Sequence, residues 1–267
     1  MSGERPSESV LRAFEASSGP LQLPGGQGRS WKAGDLVLKP SDGPVHRWLG
    51  EALDGLVADG VRVAMPVPSS NGSWTVDGWG ATSFVPGSEP DLSLPSTWLG
   101  VIEAGRAFHR AVAHIGRPAF VDSRDDPWAV ADRVAWGERP MRFAPELADV
   151  AARLRAQPDP PGEPQLVHCD LTGNILFAAG LPPAVIDISP YWRPPSYAEG
   201  VVVADLLCYH GAGASVVPML GVPATAIARA LLFRVATTNA LVASGSVSVD
   251  LPDEAQRYER AARAIGV

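Results

Sequence analysis

Cysteine is nearly missing from this chain. Cys169 and Cys208 are the whole complement, which argues against a disulfide framework. Lysine is scarce, and 22 basic residues face 29 acidic ones for a net charge of −7. A nucleic-acid binder would show a basic patch, so no nucleic-acid partner is expected. The opening MSGERPSESVLRAF lacks an apolar signal core. No uninterrupted apolar run reaches membrane-spanning length, so the expectation is a cytoplasmic chain without a membrane partner. Internal repeats and low-complexity segments are also lacking. What remains is an ordinary globular composition, 46% hydrophobic and 19% charged over 267 residues. That suits one large domain or two lobes with a real core.

The most informative stretch is 166–188, LVHCDLTGNILFAAGLPPAVIDI. Leu166 and Val167 read as a strand end leading into His168-Cys169-Asp170. Leu171 to Asn174 is a tight polar loop, Ile175 to Phe177 an apolar run, and Gly180 to Pro183 a turn. Ala184, Val185 and Ile186 then deliver Asp187. The pattern is a hairpin with Asp170, Asn174 and Asp187 at the ends of apolar strands. Carboxylates there cannot lie unpaired in a core, and three such oxygen donors suit a magnesium–phosphate site.

Set against the pattern HxDLxxxN followed by an apolar run and a second Asp, His168, Asp170, Leu171, Asn174 and Asp187 resemble the aminoglycoside phosphotransferase and choline kinase group of kinase-like enzymes. The resemblance implies that Asp170 is the catalytic base, that Asn174 and Asp187 are metal ligands, and that His168 supports the loop. Two departures stand out. Only Leu171, Thr172 and Gly173 separate Asp170 from Asn174, one residue fewer than the pattern. Either the loop is rebuilt around Gly173 with the same endpoints, or Asn174 is displaced. Cys169 takes the place of a small or basic residue, and a packed thiol is the favoured reading over a nucleophile.

Upstream, Leu21 to Trp31 carries Gly25, Gly26 and Gly28 ahead of Ser30. Glycines let backbone amides approach a phosphate, although a plain glycine-rich hairpin fits as well. No Gly-Lys-Ser/Thr follows, so it is not a Walker loop. Asp35 to Lys39 is a short strand ending in Lys39. By resemblance these segments bind nucleotide phosphates, with Lys39 pairing a carboxylate on the following helix. Glu51, on a helix over 45–58, is the first choice, Asp54 the second, and a surface role for Glu51 stays open. Trp79 to Val85 reads as the last strand before the linker, where backbone near Ser83 and Val85 would meet an adenine edge.

Further along, helices are expected over 97–114, 144–156, 198–210, 224–243 and 254–265 from their apolar periodicity. Asp122, Asp125 and Asp126 cluster near Trp128, a pairing that suits a cationic amine. The favoured alternative is helix capping, with Asp126 as N-cap before Pro127. Tyr191, Trp192 and Arg193 lie in an aromatic, proline-flanked loop that either walls a substrate pocket or plugs a gap. Asp205, a lone acid on an apolar helix, holds the catalytic loop through backbone amides if the resemblance applies.

Together these readings imply an α+β, two-lobed kinase-like fold. A β-rich N-lobe covers 1–87 and a mainly helical C-lobe 88–267. The expected activity moves a phosphoryl group from ATP or GTP, with Mg2+, to a hydroxyl of a small molecule. The alternative is a kinase-fold nucleotide-binding or regulatory protein with little transfer, for which the short loop is the argument.

Overall fold

The computed structural model describes residues 4–24, 28–41 and 43–267. The protein is mixed α+β. It divides into two compact units, one of residues 1–88 with 176–187, the other of 89–175 with 188–267. Of the 166–188 stretch that the sequence places in the C-lobe, 176–187 groups with the first unit, while 166–175 and Ile188 stay in the second.

In the first unit, α1 (Glu8–Ala13) is capped by the Ser7 hydroxyl, which accepts from the Val10 amide. Strands β1 (Leu21–Gln22), β2 (Trp31–Ala33), β3 (Leu36–Pro40), β5 (Pro66–Val67), β6 (Thr75–Val76) and β7 (Trp79–Ser83) form an antiparallel sheet. Its path runs β1-β2-β3-β7-β5, with β6 also on β7. In register, Leu38 faces Ala81 and Lys39 faces Gly80. Val10, Leu11 and Phe14 of α1 pack with Ala33, Leu38, Trp79 and Ala81 to make the core. Alternation along β3 turns Leu38 inward and leaves Lys39 half-buried on the other face. Helix α2 is Gly43–Ala52. Strand β4 (Arg62–Val63) pairs in parallel with β10 (Leu181–Val185), which also joins β9 (Ile175–Ala178). This pairing, with the Ser88–Phe177 bridge, carries 176–187 into the first unit. The proline-interrupted 61–67 run accordingly divides into β4 and β5.

The second unit is built on helices. They are α3 (Pro95–Ala111), α4 (Pro127–Ala135), α5 (Pro145–Arg155), α6 (Pro195–Tyr209), α7 (Val216–Leu220), α8 (Ala224–Ala243) and α9 (Leu251–Ala264). Asp126 caps α4 by accepting from the Ala129 amide, as its position before Pro127 predicts. Helix α8 is long and apolar enough to cross a membrane by length and composition. It packs against α4, α5, α6 and α9, and a helix enclosed on several sides is apolar all round. Strand β8 (Gln165–His168) pairs antiparallel with β11 (Pro190–Arg193). That second strand lies in the stretch the sequence reads as a loop. Its flanking prolines obscure a pairing set by a partner more than twenty residues away.

Candidate active site

The loop after β8 is held from three directions. His168 is fully buried, and its Nδ1 accepts from the Asp170 amide at 3.3 Å and the Ser189 amide at 3.1 Å. Its own amide donates to His109 Nε2 at 3.0 Å. Leu171, 1% exposed, lies against Gly105 of α3, where an added Cβ would fall 2.5 Å from Leu171 Cδ1. The loop then turns through Thr172 and Gly173, with Gly173 at φ +80° and the Asn174 amide donating to Leu171 O. A positive φ at the third turn position is what glycine permits at little cost. Asn174 Nδ2 donates to Asp170 O at 2.6 Å and to Asp170 Oδ2 at 3.1 Å. The loop is thus closed around Gly173, with Asn174 tied to Asp170. Asn174 Oδ1 is left as an oxygen donor, and the Asp170 side chain is about half exposed.

In the first unit Lys39 is ion-paired with Asp187, whose side chain is 50% exposed. Asp187 has φ +49°, a left-handed conformation that Asp tolerates better than most residues but rarely adopts without a reason. Glu51 is not the partner of Lys39: it is exposed and has no ion pair among the described residues. The face of α2 turned to the sheet carries His46, which is buried over Gly80. Five residues of helix place Glu51 about 140° around from His46. Burial, and more weakly the charge of Lys39, lowers the His46 pKa despite an opposing backbone hydrogen bond. No sequence signal separated His46 from a surface helix histidine.

Gly25 and Gly26 lie outside the described residues. Gly28 has φ +70°, and its carbonyl accepts from Gln22 Nε2 at 2.7 Å. The Ser30 carbonyl accepts from the Leu23 amide. Ser83 is committed to Met65, through its own amide and through Oγ, which accepts from the Met65 amide. Val85 is half-buried, and its amide and carbonyl make no backbone hydrogen bond among the described residues.

Asp205 departs from its expected role. Its oxygens accept from Arg234 Nε and Nη2, both at 2.7 Å, rather than from loop amides. Burial works against the Arg234 charge, but the Asp205 carboxylate more than offsets it and keeps the guanidinium protonated. Arg234 Nη2 lies 4.0 Å from Asp170 Oδ1, so the Asp205–Arg234 pair abuts the loop carboxylate. Beside it is a cavity of about 290 Å³, whose walls include Trp128, Tyr209, Thr237, Thr238, Asp205 and Arg234, with Thr172 and His210 as further polar lining.

Of the proposed substrate residues, only Trp128 borders this cavity. Arg193 is mostly enclosed, its side chain 12% exposed, donating to Asp132 Oδ2 at 2.6 Å and to Glu138 Oε1 at 2.6 Å. Tyr191 is 5% exposed and packs edge-on against Phe233. Both plug the fold instead of facing a ligand. Asp122 pairs with Arg117 at 2.7 Å, and Trp192 is partly buried within β11. Cys169 is buried, which pushes its thiol pKa well up, as a packed rather than nucleophilic cysteine requires.

Among the described residues no group of three or more His, Cys, Asp or Glu side chains could hold a metal. Magnesium does not need one, since one or two side-chain oxygens together with phosphate and water oxygens complete its shell. Asn174 Oδ1 and the exposed Asp187 carboxylate are donors of that kind.

A model of the phosphotransferase enzyme family matches residues 30–188, more than half of the chain. None of the curated proteins compared matches the sequence significantly. Among solved structures, an aminoglycoside phosphotransferase from Alicyclobacillus acidocaldarius is similar, with 16% identity over 99% of this chain and 94% of that one, at TM-score 0.57. A choline/ethanolamine kinase family protein from Mesorhizobium loti is 17% identical over 94% and 90%, at TM-score 0.58. Spectinomycin phosphotransferase, solved with ADP and spectinomycin, is 12% identical over 97% and 95%, at TM-score 0.55. At these identities the likeness is one of fold.

Proposed function

The chain belongs to the phosphotransferase enzyme family, and from that premise we propose that it transfers the γ-phosphoryl group of ATP or GTP to a hydroxyl of a small molecule. The observation that carries the reading is the loop carboxylate Asp170, half exposed and fixed at both ends by His168 and Asn174. The Lys39–Asp187 pair supports it from the nucleotide side.

In this mechanism Asp170 accepts the proton of the acceptor hydroxyl, whose oxygen bonds to the γ-phosphorus. The bond from that phosphorus to the bridging oxygen breaks, and the nucleoside diphosphate leaves with the electron pair. Lys39 exchanges its carboxylate partner for phosphate oxygens when nucleotide binds. Asn174 and Asp187 would hold Mg2+, which supplies charge neutralisation on the phosphates when bound. The unengaged backbone of Val85 supplies one donor and one acceptor for a base edge. Catalysis of this kind is chiefly positioning and electrostatic stabilisation.

The test is thermal unfolding with ATP or GTP, with and without Mg2+, alongside nucleoside-diphosphate release in the presence of hydroxyl acceptors. Nucleotide at a hundred times its Kd stabilises by roughly 2.7 kcal/mol. A magnesium-dependent rise that Asp187→Ala abolishes supports the reading, and a rise that survives in the variant contradicts the metal assignment. Nucleotide binding without turnover on any acceptor would favour the binding-protein alternative, for which the shortened loop remains the argument.

A further inference from the structure

The cavity beside Asp170 carries an unusual polar lining for a cation site. Its one wall carboxylate, Asp205, is already engaged by both Arg234 nitrogens at 2.7 Å. A second guanidinium, Arg257, lies 5.3 Å from the Tyr209 ring centroid and is itself paired with Glu254. Among the described residues the wall has no carboxylate left to balance an ammonium group, apart from the neighbouring base itself. Burying an uncompensated cation there costs far more than a hydrogen bond returns.

The hydroxyls on the same wall have a definite polarity. Tyr258 OH donates to Arg234 O at 3.2 Å, so its one proton is used. Tyr209 OH at 2.9 Å and Thr238 Oγ1 at 2.7 Å must therefore donate to it. Thr237 Oγ1 donates to Phe233 O at 2.8 Å. With these protons committed, Tyr209, Thr237 and Thr238 offer hydroxyl lone pairs that accept from neutral O–H donors, and Thr172 Oγ1, on the same wall and without a partner among the described residues, can donate or accept toward a hydroxyl. Trp128 and Tyr209, 42% and 47% exposed, add flat apolar faces. At about 290 Å³ the cavity lies at the lower end of ligand pockets, roughly 300–1,000 Å³, room for one ring rather than several.

We infer that the acceptor is an uncharged, polyhydroxylated single-ring compound of the sugar or cyclitol class, not a polycationic amine. The inference rests on the phosphotransferase reading above, since it names the molecule whose hydroxyl Asp170 deprotonates.

The experiment compares uncharged probes (methyl glucoside, myo-inositol, uridine) with cationic ones (kanamycin, choline), in two readouts. Calorimetric binding to the nucleotide-free chain reads the cavity alone, and Mg-ATP turnover reads transfer. Expected are binding and turnover with at least one uncharged probe, and no measurable kanamycin binding. Trp128→Ala, at an exposed position, should raise KM for the uncharged acceptor roughly five- to tenfold with kcat little changed. Arg234→Gln should unmask Asp205 and confer binding of choline, a cation small enough for the cavity. Preferred binding or turnover of kanamycin or choline by the wild type overturns the inference. So does failure of every uncharged probe to bind, or an unchanged KM in Trp128→Ala. Loss of nucleotide binding would instead strike at the phosphotransferase reading and leave the calorimetric result standing.

Discussion

Asp170 owes its position to one glycine. Gly173 at φ +80° lets a loop with only three residues between Asp170 and Asn174 bring Asn174 Nδ2 within 2.6 Å of Asp170 O. No atom comes within 4 Å of a Cβ built on Gly173, so the cost of Gly173→Ala is purely one of backbone conformation, about 1 kcal/mol. For a chain of this size that corresponds to a Tm roughly 2–4 °C lower, read by calorimetry. Turnover should fall by more than that stability loss explains, because the turn carries both Asp170 and Asn174. Unchanged Tm and kcat would mean the turn does not need a positive φ. The sequence left rebuilding and displacement both open here, since glycine permits the left-handed conformation without requiring it. It also favoured Glu51, with Asp54 second, as the partner of Lys39, which pairs with Asp187 instead, because side-chain charge is legible in a sequence and helix rotation over a short, irregular pattern is not.

At the scale of elements, the pair Asp205–Arg234 joins α6 to α8, and the two helices must approach closely for it to form. Gly200 makes the approach possible. A Cβ there would lie 2.4 Å from Ala226 O and 2.6 Å from its carbonyl carbon, backbone atoms that cannot rotate away. Gly200→Ala should destabilise by about 1–3 kcal/mol or more, as overpacked cores do, while Gly116→Ala, with open space around it, should be close to neutral. Equal urea midpoints for the two variants would contradict the close packing of α6 on α8. The helices themselves were readable: α8 occupies the expected 224–243, and α3, α5 and α6 fall within a few residues of their apolar periodicity. Strand β11 was not, and with it went Arg193. Its partner Asp132 is 61 residues away, and no local pattern distinguishes an arginine that closes a buried ion pair from one that faces a ligand.

Across the whole molecule, acid stability should be governed in part by a histidine that the chemistry does not use. His109 of α3 is 2% exposed, and burial, with the nearby His168, lowers its pKa to about 3. Its Nε2 accepts from the His168 amide, so protonation would both bury a charge and break the bond that seats β8. The unfolded chain takes up this proton near pH 6.5, the native chain only near 3. The contribution is therefore fully present above pH 6.5 and is lost as pH falls from there toward 3. Burial lowers the pKa of His46 too, which acts in the same direction. From His109 alone, unfolding free energy should be about 2 kcal/mol lower at pH 5 than at pH 7. Urea unfolding at the two pH values checks this against His109→Asn, which keeps an acceptor and cannot titrate, and whose pH dependence should be shallower by that amount. In the wild type, the ring resonances of His109 should stay flat from pH 7 to 5. A midpoint near 6.5 in that titration, or equal pH dependence in the two proteins, would show that the ring is solvated and that β8 is not seated on it.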